Sequence, residues 1–370
     1  MKSNVNRELA EIQRQFRAFY EKYLCGDYSE LEEKRKFYLL LFFMRGMMLV
    51  IFLFYTLCFG LKENMERSLE PLWILVFVLL CFYASVPAIN YRKNTKMLMM
   101  DKILSFFGDF IYFSSPKRDY LEDVLKQSVL FKNKIEAIYD DCFWGHYKGL
   151  DLLISEQKLY ADRGLGEVCV FKGILILLKM TKKFDGQAVV RIKKKKRIDV
   201  DLCIIGGMMF LGLLIGGMVS EKIGKKDFLI LAIGYPLALW LYLGVARGIK
   251  YLLTRKNRQK MQQVKLEDVV FDKNWDVEAT DQIEARFVLT PAFMERILEV
   301  KRRFKGKKIE FSFWKNKVLI AVHTNKDMFE TTSLFTSALN YRKMQEVVAQ
   351  FYSVFSVADV LLNTNKKQGL

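Results

Sequence analysis

Two histidines, His146 and His323, are the only ones in the chain, and each sits in a strand-like run. A general base needs a partner within hydrogen-bond reach. Nothing in the spacing brings these two together, so a plain strand histidine is the simpler reading of each. Asp140-Asp141 stand before Phe143-Trp144-Gly145, a pattern shared by binding loops and strand-entry turns. Further carboxylates gather at Glu267-Asp268, Asp272, Asp276, Asp281 and Glu284. Such oxygens suit a hard cation, but the spacing is not that of a calcium loop. Glu284 and Arg286 fit the exposed face of a strand. No Gly-rich loop opens a helix to cradle a phosphate, and there is no Ser nucleophile elbow. Gly164-Leu-Gly166 joins two strands and reads as a turn. Cys25, Cys58, Cys81, Cys142, Cys169 and Cys203 form no Cys-x-x-Cys pair, which argues against a metal centre or a disulfide framework. The sequence thus predicts no catalytic set, no metal and no cofactor. The candidate binding surface is Asp141, His146, Glu267 and Asp268. A membrane-bound hydrolase would need several of these, with Asp140, in one pocket.

The elements that must position these residues are set by four apolar blocks. Hydrophobic residues make up 52% of the chain and charged ones 27%, so only part of it can lie in lipid. Phe37–Gly60 and Leu72–Ile89 are each long enough to cross ~30 Å of hydrocarbon at ~1.5 Å per residue. A second hairpin, 200–247, repeats the pattern with apolar runs 202–219 and 228–246. Basic clusters flank the blocks at 34–36, 92–96, 191–197 and 247–260, and the connecting turns are short. Positive-inside then places both termini and the middle segment in the cytoplasm. The second turn, with Lys222, Lys225 and Lys226, weakens that rule without reversing it. No cleavable signal peptide is expected, because the first apolar run begins only near Phe37. Arg45 lies inside the first run, where it either marks a functional path or snorkels to the interface. Gly212 and Gly216 are small residues suited to close helix packing, either within the chain or across a homo-oligomer interface. The formal charge of +18 is concentrated beside the apolar blocks. Lys193, Lys194, Lys195, Lys196 and Arg197, with Arg247, Lys250, Arg255 and Lys256, therefore read as topology signals and anionic-lipid contacts rather than a nucleic-acid surface.

Between and after the hairpins the pattern is α+β. An amphipathic helix over Asn6–Leu24 carries mixed charge on its polar face, which favours docking on the chain's own domain over a membrane surface. A helix is predicted over Lys96–Phe113 and another near Tyr120–Ser128. Strands follow at Glu136–Tyr139, Cys142–Lys148, Leu152–Leu159, Val168–Met180 and Ala188–Lys194. Past the second hairpin, strands at Gln262–Val270 and Trp275–Glu278 lead to a helix capped by Thr290 with Pro291 in its first turn. A hairpin of Lys308–Phe313 and Lys317–His323 and a final helix, about Tyr341–Leu362, complete the chain. Neither half has enough strands alone. The expected layout is an N-terminal helix (1–36), hairpin 1 (37–90), a first α+β part (91–199), inserted hairpin 2 (200–247) and a second α+β part (248–370).

Val170-Phe-Lys-Gly-Ile-Leu175, Phe184-Asp-Gly186 and Leu266-Glu-Asp-Val-Val-Phe-Asp272 form the first of a series of blocks. It continues with Val277, Asp281-Gln-Ile-Glu-Ala-Arg286, Leu289-Thr-Pro-Ala-Phe-Met-Glu-Arg296, Ile309-Glu-Phe-Ser-Phe313 and Asp327-Met-Phe-Glu330. Upstream, Asp140-Asp141, Gly145-His-Tyr-Lys-Gly149 and Ser155-Glu156 fit the same series. It resembles the bacterial membrane family known as domain of unknown function 3137. The resemblance implies an inner-membrane protein and no activity, with a LemA-like membrane protein as a partner. The expectation is a non-enzymatic, membrane-tethered interaction or scaffold module. The alternative is a protein that senses or handles anionic lipid.

Overall fold

The computed structural model describes residues 2–60, 70–113, 118–131, 135–162, 167–180, 183–193, 261–266, 271, 274–337 and 340–367. The expected second hairpin with Gly212 and Gly216, the basic residues Lys194 to Arg197, Arg247, Lys250, Arg255 and Lys256, and the Glu267-Asp268 pair lie outside them. So does the turn at 164–166.

The amphipathic N-terminal segment forms α1 (Lys2–Phe19), which continues through a π turn into α2 (Tyr28–Gly60). Phe16 is fully buried, 5.3 Å from the ring of Phe106 and 6.1 Å from that of Tyr341, so α1 docks on its own chain. α2 and α3 (Glu70–Ser105) are 33 and 36 residues long, apolar, and almost wholly exposed along their apolar runs. They are long and apolar enough to cross a membrane. They pack antiparallel: Phe52 and Tyr55 of α2 meet Trp73 at the start of α3. The guanidinium of Arg45 lies over the Tyr83 ring at 4.3 Å and donates to its carbonyl.

α3 does not run on to Phe113 as its periodicity predicts. It closes at Ser105, the chain turns through Gly108 at φ 101°, and Phe110–Phe113 becomes β1. Helix continuation loses because β1 pairs with β2 (Ile135–Tyr147) while Phe110 packs against Phe351 and Phe355. The expected break between Glu136–Tyr139 and Cys142–Lys148 is a β-bulge inside one strand, β2. Next come β3 (Leu150–Asp162), β4 (Glu167–Lys179), β5 (Gln187–Ile192), β6 (Gln262–Gln263), β7 (Trp275–Ala279), β8 (Lys308–Trp314) and β9 (Lys317–His323). β6 ends at Gln263 and 264–266 are not strand, while the rest of the strand predicted over Gln262–Val270 lies outside the described residues. The helices are α4 (Arg118–Ser128), α5 (Gln282–Val288), α6 (Pro291–Arg303) and α7 (Tyr341–Lys367). Thr290 caps α6 with Pro291 behind it, as expected. Glu284 and Arg286 lie on α5, not on a strand. Asp281 caps that helix locally, and Glu284 accepts the backbone N–H groups of the distant Asp185 and Gly186, so a local cap and a long-range contact together decide the helix.

The nine strands among the described residues form one antiparallel sheet, ordered β1-β2-β3-β4-β9-β8-β5-β7-β6. β5, from before the 194–260 segment, lies between β8 and β7 from after it. The two halves therefore share a single sheet. One face is covered by α1, α3, α6 and α7 over a large core that includes Ile154, Ile176, Ile320 and Phe351. The other face holds a smaller core under α4, built on Leu121, Leu125, Leu153, Leu175 and Leu319.

Candidate functional site

The residues of α3 beyond its apolar run enter the larger core. Met99, Met100, Ile103 and Leu104 are fully buried there. One turn before them, Lys96 reaches Asp141 at 2.6 Å and Glu330 at 2.7 Å, and Arg92 reaches Glu330 and Asp327, each at 2.7 Å. The Tyr112 hydroxyl donates to the second Asp141 oxygen at 2.7 Å. The bulge explains why Asp141 is available: two residues, Asp140 and Asp141, oppose Glu156 alone, and a bulge re-aims its side chains. Asp141 is 1% exposed, and burial holds its carboxyl above the ordinary range even though Lys96 opposes the shift. Glu156, also buried, accepts among the described residues only the Met328 N–H. Burial and the nearby Asp327 push it up to about 8. Two cations thus face three carboxylates, and the fourth carboxyl stays protonated near neutrality.

The segment after β9 closes this lattice against α2. Arg35 donates to the Leu334 carbonyl at 2.9 Å, and the Phe335 ring meets Phe42 at 5.3 Å.

On the other face, a groove of about 700 Å³ runs between α4 and strands β1 to β4. Phe113, Tyr120, Cys142, Trp144, Leu153 and Leu177 line it. Trp144 and Phe113 are each 41% exposed, a large apolar surface to leave in water. Burial pushes the Cys142 thiol up to about 12, so it acts as a small apolar wall rather than a nucleophile. One cross-strand row bounds the groove: His146 opposite Asp151, Asp151 opposite Lys179, Lys179 opposite Lys317. Asp151 pairs with His146 at 2.8 Å and with Lys179 at 2.9 Å. Lys317 has no ion-pair partner among the described residues and lies 5.6 Å over the Tyr120 ring. Burial, with Lys315 and Lys179 near it, holds the Lys317 ammonium below its ordinary value.

Of the sequence candidates, Asp141 and His146 are therefore placed on opposite faces of the sheet and share no pocket. Lys193 follows β5 and is partly buried. His323 pairs with Glu310 at 3.1 Å and packs on Phe171. Among the described residues no three His, Cys, Asp or Glu side chains converge as metal ligands. Sequence reasoning missed Lys96, Glu156, Glu330, Tyr112, Lys179 and Lys317. The available signal was Asp140-Asp141 inside a strand-forming run, which marks a bulge.

The family model described as "Protein of unknown function (DUF3137)" matches residues 169–362, from β4 to α7. The chain belongs to this family. The DUF3137 match spans β5, β7, β8 and β9 and includes Lys179, Lys317, Asp327 and Glu330, while α2, α3 and β1 to β3 precede it. No curated protein matches the chain. Among solved structures, the mycobacterial trehalose monomycolate transport factor A, TtfA, is similar at 10% identity, over 72% of this chain and 93% of that one, with a TM-score of 0.26.

Proposed function

We propose that this chain is a bacterial inner-membrane protein of four spans that displays its sheet to another protein and catalyses nothing. In this reading α2 and the apolar part of α3 cross the bilayer, 200–247 crosses it again as an insertion, and both termini and the sheet are cytoplasmic. The supporting observation is the unbroken passage of α3 from an exposed apolar run into a buried core, held by Lys96, Asp141 and Glu330. A domain on a loose tether needs no such junction, whereas a docking platform gains from a fixed pose, which lowers the ordering cost of association. At the junction Lys96 and Arg92 are held in ion pairs with Asp141, Glu330 and Asp327, which supports a structural use of these charges. A LemA-like membrane protein is the partner the family resemblance suggests. Anionic lipid at 193–197 and 247–260, and self-association through Gly212 and Gly216, belong to the same proposal. Photo-crosslinking residues placed at Ile138 and Ile283, which are 56% and 83% exposed, test it in native membranes. A discrete protein adduct is expected. Adducts to lipid alone would overturn the docking role.

A further inference from the structure

The groove on the α4 face is used by nothing described so far, and its two ends differ chemically. Its floor and walls are apolar: Trp144, Leu153 and Leu177 from the sheet, Phe113 and Tyr120 from the flanks. Its volume of about 700 Å³ falls in the range of small-molecule sites, which are mostly apolar with a few convergent polar groups. At one end the β4–β9 register sets Lys179 directly opposite Lys317. Like charges directly opposite each other on neighbouring strands repel. Asp151 is engaged by both His146 and Lys179, so it neutralises one cation of the row and leaves the other. The burden on Lys317 is the same imbalance seen from the ammonium: partly buried, beside Lys315 and Lys179, with no ion pair among the described residues and only the weaker pull of Asp123 against them. An anion at this point would relieve the repulsion, and an apolar chain attached to it would cover Trp144 and Phe113.

We propose that the groove binds a single-chain amphiphile with an anionic head, its chain lying on Trp144, Leu153 and Leu177 and its head between Lys179 and Lys317. A carboxylate and a phosphate head share this chemistry, as in a free fatty acid and a single-chain phospholipid. The inference rests on the reading of the chain as a binding module only in that the ligand leaves unchanged.

The test uses the full chain in phosphatidylcholine nanodiscs and a dansyl-labelled undecanoate as probe. Energy transfer from tryptophan to dansyl is counted above that in empty nanodiscs. Saturable transfer is expected, with displacement by dodecanoate or dodecyl phosphate and displacement by dodecanol at least tenfold weaker. The order of dodecanoate and dodecyl phosphate tells which head source fits better. Lys317→Glu and Lys179→Glu, at exposed or half-exposed positions, should each weaken probe binding tenfold or more. Trp144→Gln should lower binding of acid and alcohol alike. Equal displacement by dodecanol, no effect of either lysine reversal, or no saturable signal would each overturn the proposal. Mass spectrometry of the recovered probe separates the two readings: intact probe agrees with both, and cleaved probe would leave the groove site standing while refuting a non-enzymatic module. Protein adducts at Ile138 and Ile283 are independent of the groove, so their absence would refute the docking role alone.

Discussion

Glu156 is a residue whose chemistry departs far from what its type suggests. Its folded pKa of about 8 stands above the ordinary 4.5 because burial and the Asp327 charge disfavour ionisation. The sign follows from linkage. Below pH 4.5 the carboxyl is protonated in both states and its contribution to stability is complete. Between 4.5 and about 8 the unfolded chain releases a proton that the folded chain keeps, so stability falls as pH rises, and above about 8 the loss is full. Glu156→Gln keeps an acceptor for the Met328 N–H and removes the titration. It should therefore raise stability at pH 9 by up to about 3 kcal/mol and change little at pH 5, read as melting temperature against pH. Lys96 presents the opposite case, a buried cation whose removal strands Asp141. Lys96→Met should cost about 3–5 kcal/mol in denaturant unfolding. The double variant Lys96→Met with Asp141→Leu should recover most of that. If the double variant is no more stable than the single one, the pair is not what holds α3 to β2.

At the scale of elements, one joint between the two halves of the sheet is β4 against β9, and one glycine decides it. Gly173 has φ 150°, and a Cβ there would lie 2.0 Å from the Val322 carbonyl oxygen. Gly173→Ala must push β9 away or strain the backbone, so a loss of about 2–3 kcal/mol is expected in thermal unfolding, with faster amide exchange in β9. Most elements were legible because their signals are local. Alternation marks β8 and β9, Thr290-Pro291 marks the start of α6, and apolar length marks α2 and α3. The misreadings came where a distant partner overrides a local period. The segment Phe106–Phe113 carries helical spacing, but β2 takes Phe110–Phe113 as an edge strand. Glu284 and Arg286 look like strand-side charges until Asp281 is needed as a cap and Glu284 as the acceptor for the Asp185-Gly186 turn. The two candidate sites were less legible still. Asp141 could be singled out as one of an unusual acidic pair, but its cation lies 45 positions earlier on α3. Lys179 and Lys317 look like ordinary strand-end lysines. Only the pairing of β4 with β9, itself a long-range choice, sets them side by side.

For the whole molecule, the main result is that one sheet is assembled from chain on both sides of the 194–260 segment and fixed to a helix that leaves it as an apolar rod. An α-helix advances by ~100° of rotation and ~1.5 Å of height per residue. Between Tyr83, which meets Arg45 on α2, and Lys96, which meets Asp141 on β2, α3 stays helical, with Pro87 the position at which a missing N–H can bend its axis. Apart from any bend at Pro87, the angular direction in which the sheet faces is thus geared to the angular direction in which α3 faces α2. Changing the partner of the apolar pair, or sliding one helix along the other by a turn, would swing the amphiphile groove around the axis like a hand on a dial. The chain has built its orientation into helical phase rather than into a surface contact.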